Sequence, residues 1–188
     1  IKMPDIINKK TNKEIRTKFS IMFIRAKNAF LIFYLVLVSL PIMCTNIIVP
    51  NEEILKKPFP LPYERIDVGK DDLRKFIEMA INNNKQPIII FGANWCPDCR
   101  ILSAALDLNT IKNYMNKNYE VLYIDIGRYD INMSTMEYFN IMPQQGIPRV
   151  VILNKDKEVL NLKNTGEWTT ARSRTKQEIF NYFQEYKE

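Results

Sequence analysis

Two cysteines, Cys96 and Cys99, are separated by two residues in the run Trp95-Cys96-Pro97-Asp98-Cys99. Such a C-x-x-C pair can open and close a disulfide, or it can supply two of the four ligands of a zinc ion. A zinc site needs further ligands, and a chain with three cysteines and no histidine does not readily supply them. The pattern therefore favours a redox dithiol over half of a zinc site or a structural disulfide.

The elements on either side give this dithiol its chemistry. Pro87–Phe91 is a short apolar run of the buried-strand type. An amphipathic pattern follows the cysteines and predicts a helix that begins at them. Free N–H groups and the dipole at a helix start stabilise a thiolate, so we expect Cys96 to be the nucleophile. Cys99 lies about one turn deeper and is expected to resolve the mixed disulfide.

Composition excludes several other classes of function. The 188 residues include no histidine, which rules out histidine-dependent triads and histidine metal ligands. The net charge is +6, but eight of the 27 basic residues and two of the 21 acidic residues lie in positions 1–44, so the remainder is balanced. A balanced globular part lacks the basic surface that nucleic-acid binding needs. We therefore expect no nucleic-acid partner.

The remaining elements predict an α/β domain in the order helix, strand, helix, strand, helix, hairpin, helix. Beyond the strand and helix around the dithiol, they are a helix capped by Asp71 or Asp72, a strand at Val121–Ile126, a helix begun by the capping box of Ser134 and Glu137, a hairpin of Arg149–Leu153 and Glu158–Leu162, and a helix begun by the capping box of Thr175 and Glu178.

The N-terminal third of the chain is predicted to direct the domain to a membrane. Ala29–Met43 is almost entirely apolar and follows two basic residues, which is typical of a signal peptide. We expect cleavage near Cys44 and export to a periplasm, with a retained signal anchor as the alternative. The predicted organisation is an upstream extension or cytoplasmic tail (1–21), a signal peptide or signal anchor (22–44), a Pro-rich linker (45–62) and a folded domain (63–188).

Several features together resemble the thioredoxin family. They are the strand that ends in Phe91-Gly-Ala-Asn-Trp-Cys, the C-x-x-C pair, Gly146-Ile147-Pro148 before the predicted hairpin, and Gly166 after it. The resemblance extends from about Asp71 to the C-terminal end. The WCPDC form, the Asp125–Asp130 stretch and the Gly-Glu-Trp168 segment are similar to exported bacterial members. The resemblance implies a thioredoxin fold, with a central mixed β-sheet flanked by helices.

The resemblance also implies a substrate-binding site. Pro148 is expected to be a cis proline that faces the dithiol, with the backbone of Ile147 pairing with an extended substrate segment. Trp95 is expected to pack at the edge of the site, and Gly166 to allow close backbone approach beside it. The implied site comprises Trp95, Cys96, Pro97, Cys99, Ile147, Pro148 and Gly166.

One position departs from the family pattern. Thioredoxins usually have a buried aspartate six residues before the first cysteine, where it assists proton transfer at the resolving thiol, and Ile90 occupies that position here. Asp98 is the nearest substitute and is expected to relay a proton through water. A solvated residue in the first turn of a helix is the alternative. A carboxylate beside the Cys96 sulfur would also raise the pKa of that thiol and favour a reducing couple.

These observations predict an exported thiol–disulfide oxidoreductase that acts on protein disulfides in the reducing or interchange direction. The expected partners are disulfide-containing proteins and a thiol electron donor, for example a membrane reductant. We expect no metal and no cofactor beyond the redox-active Cys96–Cys99 pair, and contact with a membrane only through the N-terminal segment. A thiol-based copper carrier on the same fold is the alternative, since a C-x-x-C pair also suits Cu(I).

Overall fold

The computed structural model describes residues 46–142 and 145–188. The upstream extension and the signal segment predicted for positions 1–44 lie outside the described residues. Within the described ranges, none of the helices combines the length and the apolar content needed to cross a bilayer. Residues from Asn46 to Glu188 belong to one folded unit.

The described part of the chain contains five α-helices and three β-strands. They are α1 (Lys70–Asn82), β1 (Gln86–Gly92), α2 (Pro97–Leu106), α3 (Asn109–Asn118), β2 (Tyr119–Asp125), α4 (Met133–Tyr138), β3 (Arg149–Ile152) and α5 (Lys176–Glu185). Two 3₁₀ segments, Leu162–Asn164 and Glu167–Ser173, lie between β3 and α5.

Strand β1 is the centre of a three-stranded sheet with the order β2-β1-β3. β2 is parallel to β1, with Val121 opposite Ile88, and β3 is antiparallel to it, with Ile152 opposite Ile88. Every residue of β1 is buried, as is typical of a strand covered on both faces. Strands β1 and β2 each begin and end within two residues of the bounds predicted for them. The predicted mixed sheet flanked by helices is therefore confirmed.

The first residues of helices α1 and α5 can be compared with the helix starts predicted from the sequence. α1 follows Gly69, whose N–H donates to the carboxylate of Asp72 at 3.3 Å, so neither Asp71 nor Asp72 is the capping residue that was predicted. α5 begins with the predicted capping box. Thr175 Oγ1 accepts the Glu178 N–H at 3.1 Å, and the Glu178 carboxylate accepts the Thr175 N–H at 2.7 Å.

Helix α4 begins after Asn132, and the predicted start at Ser134 with Glu137 is wrong. Asn132 has a φ of 54°, a left-handed conformation that asparagine tolerates better than most residues. Its side chain accepts the Val68 N–H at 2.7 Å and donates to the carbonyl of Ile66 at 2.8 Å. The start of α4 is thus set by a contact with the chain that leads into α1.

Two helices follow the dithiol where one was predicted. α2 ends at Leu106 and α3 begins at Asn109. The Thr110 N–H in the first turn of α3 donates to the carboxylate of Glu53 at 3.0 Å. The carboxylate that accepts this N–H lies 57 residues away in the sequence, so no local signal indicates the start of α3.

The predicted hairpin contains one regular strand only, β3, and the second strand at Glu158–Leu162 is wrong. Val159 forms an isolated bridge with Leu153. Next to it, the side chain of Asn161 accepts the Ile152 N–H at 2.9 Å and donates to the Val150 carbonyl at 2.7 Å. A side-chain amide therefore satisfies backbone groups of β3 that a neighbouring strand would otherwise pair.

The segment predicted as a linker has no helix or strand from residue 46 to residue 62, but it is packed on the domain. Val49 is buried, and its N–H donates to Gln177 Oε1 at 2.7 Å. Lys176 Nζ donates to the Pro50 carbonyl at 2.6 Å. These contacts with α5 fix the path of the chain toward Tyr63.

Candidate active site

Cys96 lies at the start of α2, directly after the loop that leaves β1. It is the capping residue of that helix, and its Sγ accepts the Cys99 N–H at 3.2 Å. Pro97 follows at the first helical position, where a missing N–H costs nothing. Both cysteines are free thiols and both are buried. The helix therefore aims its unpaired N–H groups at the Cys96 sulfur.

The two thiols differ in acidity. Hydrogen bonding from the Cys99 side chain, helped by the Cys99 N–H, lowers the pKa of Cys96 to about 7, although burial and the charge of Asp98 raise it. Burial is the largest of the effects that raise the pKa of Cys99 far above its usual range. Cys96 is therefore the thiol that ionises near neutral pH, and its role as nucleophile stays a prediction.

The loop before β3 brings Ile147 and Pro148 against the dithiol. The Cys96 thiol lies 3.7 Å from the carbonyl oxygen of Ile147, with the thiol as donor. The Ile147–Pro148 peptide bond is cis. Both residues are buried, so the sequence motifs on β1 and β3 meet in one site.

Trp95 forms the exposed edge of the site. Its side chain is 46% exposed, and its indole N–H donates to the carbonyl of Gly127 at 2.7 Å. The guanidinium of Arg128 lies 5.6 Å from the centre of the indole ring, and the ring of Tyr129 lies 6.4 Å away. Gly127 has a φ of +57°, and a Cβ there would overlap the Asp130 carboxylate. The loop after β2 thus depends on a glycine to reach Trp95.

The side chain of Asp98 is buried and is not in contact with bulk water. Only 4% of its side chain is exposed, and its Oδ2 lies 2.9 Å from Nη2 of Arg172. Its Oδ1 accepts the Arg172 N–H at 2.8 Å. The solvated alternative is therefore wrong, and the carboxylate is held between α2 and the second 3₁₀ segment.

Gly166 is close to an arginine side chain. A Cβ at Gly166 would overlap the guanidinium of Arg149. That guanidinium donates to the carbonyl of Gly146 at 2.9 Å and also to the carbonyl of Gln145. Gly166 therefore makes room for the side chain that holds the loop before Pro148, which differs from the expected close approach of backbone.

Three residues of the site were missed by sequence reasoning: Tyr63, Arg149 and Arg172. Arg149 had one signal, since an arginine inside an apolar strand needs buried hydrogen-bond acceptors. Tyr63, whose pKa is raised in part by both cysteines, and Arg172, which pairs with Asp98, had none, because each lies far from the dithiol in the sequence. Ile90, which occupies the position of the family's buried aspartate, is fully buried in β1 and provides no polar group.

Structural zinc sites use four protein ligands and catalytic zinc sites use three. Within residues 46–142 and 145–188, no three cysteine, aspartate or glutamate side chains are grouped so that they could hold a metal ion.

The chain is similar to several known proteins. A family model described as thioredoxin matches residues 62–177. The solved structure of a disulphide isomerase from Xylella fastidiosa Temecula1 is 32% identical, with a TM-score of 0.61, over 67% of this chain and 96% of that chain. The germline-specific thioredoxin Deadhead from Drosophila melanogaster is 18% identical, with a TM-score of 0.44, over 64% of this chain and 96% of that chain.

A curated mouse protein, chondroitin sulfate synthase 3, is 29% identical over 102 residues. The match covers 53% of this chain and 11% of that protein, so the chain spans a small part of this relative's length.

Proposed function

Because this chain belongs to the thioredoxin family, we propose that it is a thiol–disulfide oxidoreductase that exchanges its Cys96–Cys99 dithiol with protein disulfides. One observation carries the proposal. The Cys96 sulfur caps α2, accepts the Cys99 N–H at 3.2 Å and faces the carbonyl of Ile147. A thiol with these neighbours is ionised to a useful extent at neutral pH and lies beside a backbone segment that a substrate could contact.

In the reducing direction, the Cys96 thiolate attacks one sulfur of a substrate disulfide. A bond forms between that sulfur and Cys96 Sγ, the substrate S–S bond breaks, and the other substrate sulfur leaves and takes a proton from water. Cys99 then loses its proton to a solvent base and attacks Cys96 Sγ. This closes the Cys96–Cys99 bond and releases the second substrate sulfur, so two electrons pass to the substrate.

The position of the Ile147 carbonyl beside Cys96 supports a polypeptide as the substrate. An extended chain can add to a backbone edge through main-chain hydrogen bonds, which are independent of its side chains. Pro97 follows Cys96 and Pro148 follows Ile147 in the sequence, and the exposed indole of Trp95 offers an apolar surface next to Cys96. A protein disulfide in an extended segment fits these neighbours.

The acidity of Cys96 supports the reducing or interchange direction. Strongly oxidising members of this class stabilise the thiolate so far that its pKa falls to about 3.5, whereas reducing members have a value near 7. The pKa of Cys96 is about 7. A thiolate stabilised only to this extent favours the reduced state weakly, which makes the pair a better reductant.

We place this activity outside the cytoplasm, most simply in a periplasm, on the basis of the apolar segment at Ala29–Met43. A thiol donor at the membrane would then return the Cys96–Cys99 disulfide to the dithiol. Fractionation of cells that express the full chain tests this location. Recovery of the protein in the cytoplasmic fraction would contradict it.

Insulin reduction in the presence of dithiothreitol tests the activity. Wild type is expected to accelerate precipitation of the insulin B chain, and Cys96→Ser is expected to abolish the effect. Cys99→Ser is the matched variant, because it keeps the nucleophile and should accumulate a mixed disulfide. A wild type no faster than Cys96→Ser would overturn the proposal, and stoichiometric bound copper in that inert protein would favour a copper carrier.

A further inference from the structure

The hydroxyl of Tyr63 is a buried polar group without an ordinary partner. Tyr63 is 3% exposed, and no atom among the described residues forms a hydrogen bond with its hydroxyl. Removal of a hydroxyl from water without a compensating bond is unfavourable, so such groups are uncommon in folded proteins. A hydroxyl kept in this condition beside a reactive site suggests a role in that site.

Several contacts hold Tyr63 in place. Its N–H donates to Asn94 Oδ1 at 3.2 Å, and the Asn94 amide donates to the Tyr63 carbonyl at 2.7 Å. Its ring packs edge-to-face on Tyr123, with 5.4 Å between centroids. A Cβ on Gly92 would overlap the Tyr63 hydroxyl. The backbone of Tyr63 is therefore anchored to Asn94, which lies two residues before Cys96. Gly92, at the end of β1, makes room for the Tyr63 hydroxyl.

The Tyr63 hydroxyl lies against Gly92, and the Cys99 thiol interacts with the backbone of the next residue, Ala93, so the two side chains are neighbours. Cys99 is fully buried, and burial raises the pKa of its thiol while the Tyr63 hydroxyl lowers it. Ile90, which lies in the adjacent β1, adds no polar group. A phenolic hydroxyl thus lies beside the thiol that has to ionise in an apolar surrounding.

We propose that the Tyr63 hydroxyl donates a hydrogen bond to the Cys99 sulfur when that thiol ionises, and so stabilises the thiolate that resolves the mixed disulfide. This inference rests on the proposed exchange activity. The step it assists is the second one: Cys99 gives its proton to a solvent base, its sulfur bonds to Cys96 Sγ, and the bond from Cys96 to the substrate sulfur breaks. Tyr63 neither gains nor loses a proton in this step.

Tyr63 suits the role of donor and not that of base. Burial is the main reason that its own pKa lies well above the usual value, so the hydroxyl stays protonated at neutral pH. A protonated phenol can donate to a thiolate, and hydrogen bonds to charged groups are stronger than bonds between neutral groups. The first step needs no such help, because the Cys96 thiolate is stabilised by the start of α2.

Reaction of the reduced protein with 5,5′-dithiobis(2-nitrobenzoate) separates the two steps. Attack by Cys96 releases one thionitrobenzoate, and resolution by Cys99 releases a second. Tyr63→Phe keeps the ring and removes the donor. We expect the first release to proceed at the wild-type rate and the second to be roughly ten-fold slower, with its pH profile displaced to higher pH.

Tyr123→Phe is the matched control, since it removes a neighbouring hydroxyl whose pKa is affected by burial, Ser103 and Asp107 and by neither cysteine. Both releases should proceed at wild-type rates in this variant. A second release that is equally fast in Tyr63→Phe and wild type would overturn the inference, and so would an equal slowing of both releases, which would indicate a disturbed fold. A wild type that shows neither release would instead contradict the proposed exchange activity.

Discussion

The carboxylate of Asp98, between the two cysteines, is paired with Arg172 on both of its oxygens. One oxygen lies 2.9 Å from the guanidinium and the other accepts the Arg172 N–H at 2.8 Å. Arg172 itself remains 60% exposed at its side chain. The negative charge nearest to Cys96 is therefore buried but partly compensated, and the pair connects the active-site helix to the second 3₁₀ segment.

Replacement of Asp98 by Asn is expected to lower the pKa of Cys96 from about 7, because the charge of Asp98 raises it. A fall of about one unit corresponds to roughly 1.4 kcal/mol and moves the couple about 30 mV toward oxidising values. Ultraviolet titration of the thiolate and equilibration with glutathione buffers measure the two effects. An unchanged or higher pKa would mean that Asp98 does not tune this thiol.

Replacement of Arg172 by Gln is expected to have the opposite effect on Cys96. Without the guanidinium the charge of Asp98 is uncompensated, so the pKa of Cys96 should rise. The buried carboxylate also loses a partner, and since Arg172 is largely exposed we expect a loss of only about 1–2 kcal/mol in the free energy of unfolding.

Arg174→Gln is the control for Arg172→Gln. Arg174 lies two residues further on and pairs with Glu167 and Glu178. Its replacement should lower stability slightly and leave the Cys96 titration as in wild type. A Cys96 pKa that moves equally in the two variants would show that the general loss of positive charge, and not the contact with Asp98, is responsible.

The reactivity of Cys96 should depend on pH with a midpoint near 7, the value of its pKa. Stability should depend on pH as well. The folded pKa lies below the ordinary value of 9.0, so the thiolate stabilises the reduced protein above about pH 9, and this contribution is lost as the pH falls toward 7. The rate of alkylation and the denaturant unfolding of reduced wild type and Cys96→Ser measure the two effects. A pH-independent difference in stability would contradict the assignment.

The parts of the site that could be predicted from the sequence are those with local signals. An apolar run followed at once by a C-x-x-C pair fixes β1, the loop and the start of α2, since burial and helix capping depend on neighbours in the chain. The capping box of Thr175 and Glu178 is local in the same way. These elements lie where they were predicted.

The remaining features depend on polar groups that meet only after folding. Asp98 and the Arg172 N–H are 74 residues apart, and Thr110 and Glu53 are 57 residues apart. Hydrophobic periodicity predicts which face of an element is buried, but it does not identify the distant partner of a polar side chain. This is why the start of α3 and the environment of Asp98 were not predicted.

Replacement of Gly166 by Ala is expected to loosen the loop that carries Ile147 and Pro148. The added Cβ would overlap the guanidinium of Arg149, which holds the carbonyl of Gly146 at 2.9 Å. Because the guanidinium is the far end of a flexible side chain, we expect a loss of about 1 kcal/mol in the free energy of unfolding, the low end of the range for overpacking. Exchange with a peptide disulfide should be slower, while the pKa of Cys96 should stay near 7, because its stabilising hydrogen bonds come from Cys99.

A double-mutant cycle with Arg149→Met separates this overlap from a general effect of the added methyl group. Methionine keeps an apolar stem but has no guanidinium, so it removes both the overlap and the bonds to the loop. If the overlap is the cause, Gly166→Ala should cost clearly less stability in the Arg149→Met background than in wild type, since residues in contact are not additive. Equal costs in the two backgrounds would show that Arg149 is not what requires a glycine at this position. Chemical denaturation of the four proteins measures the cycle, and the rate of peptide-disulfide exchange in the same set shows whether the loop bonds of Arg149 contribute to substrate binding.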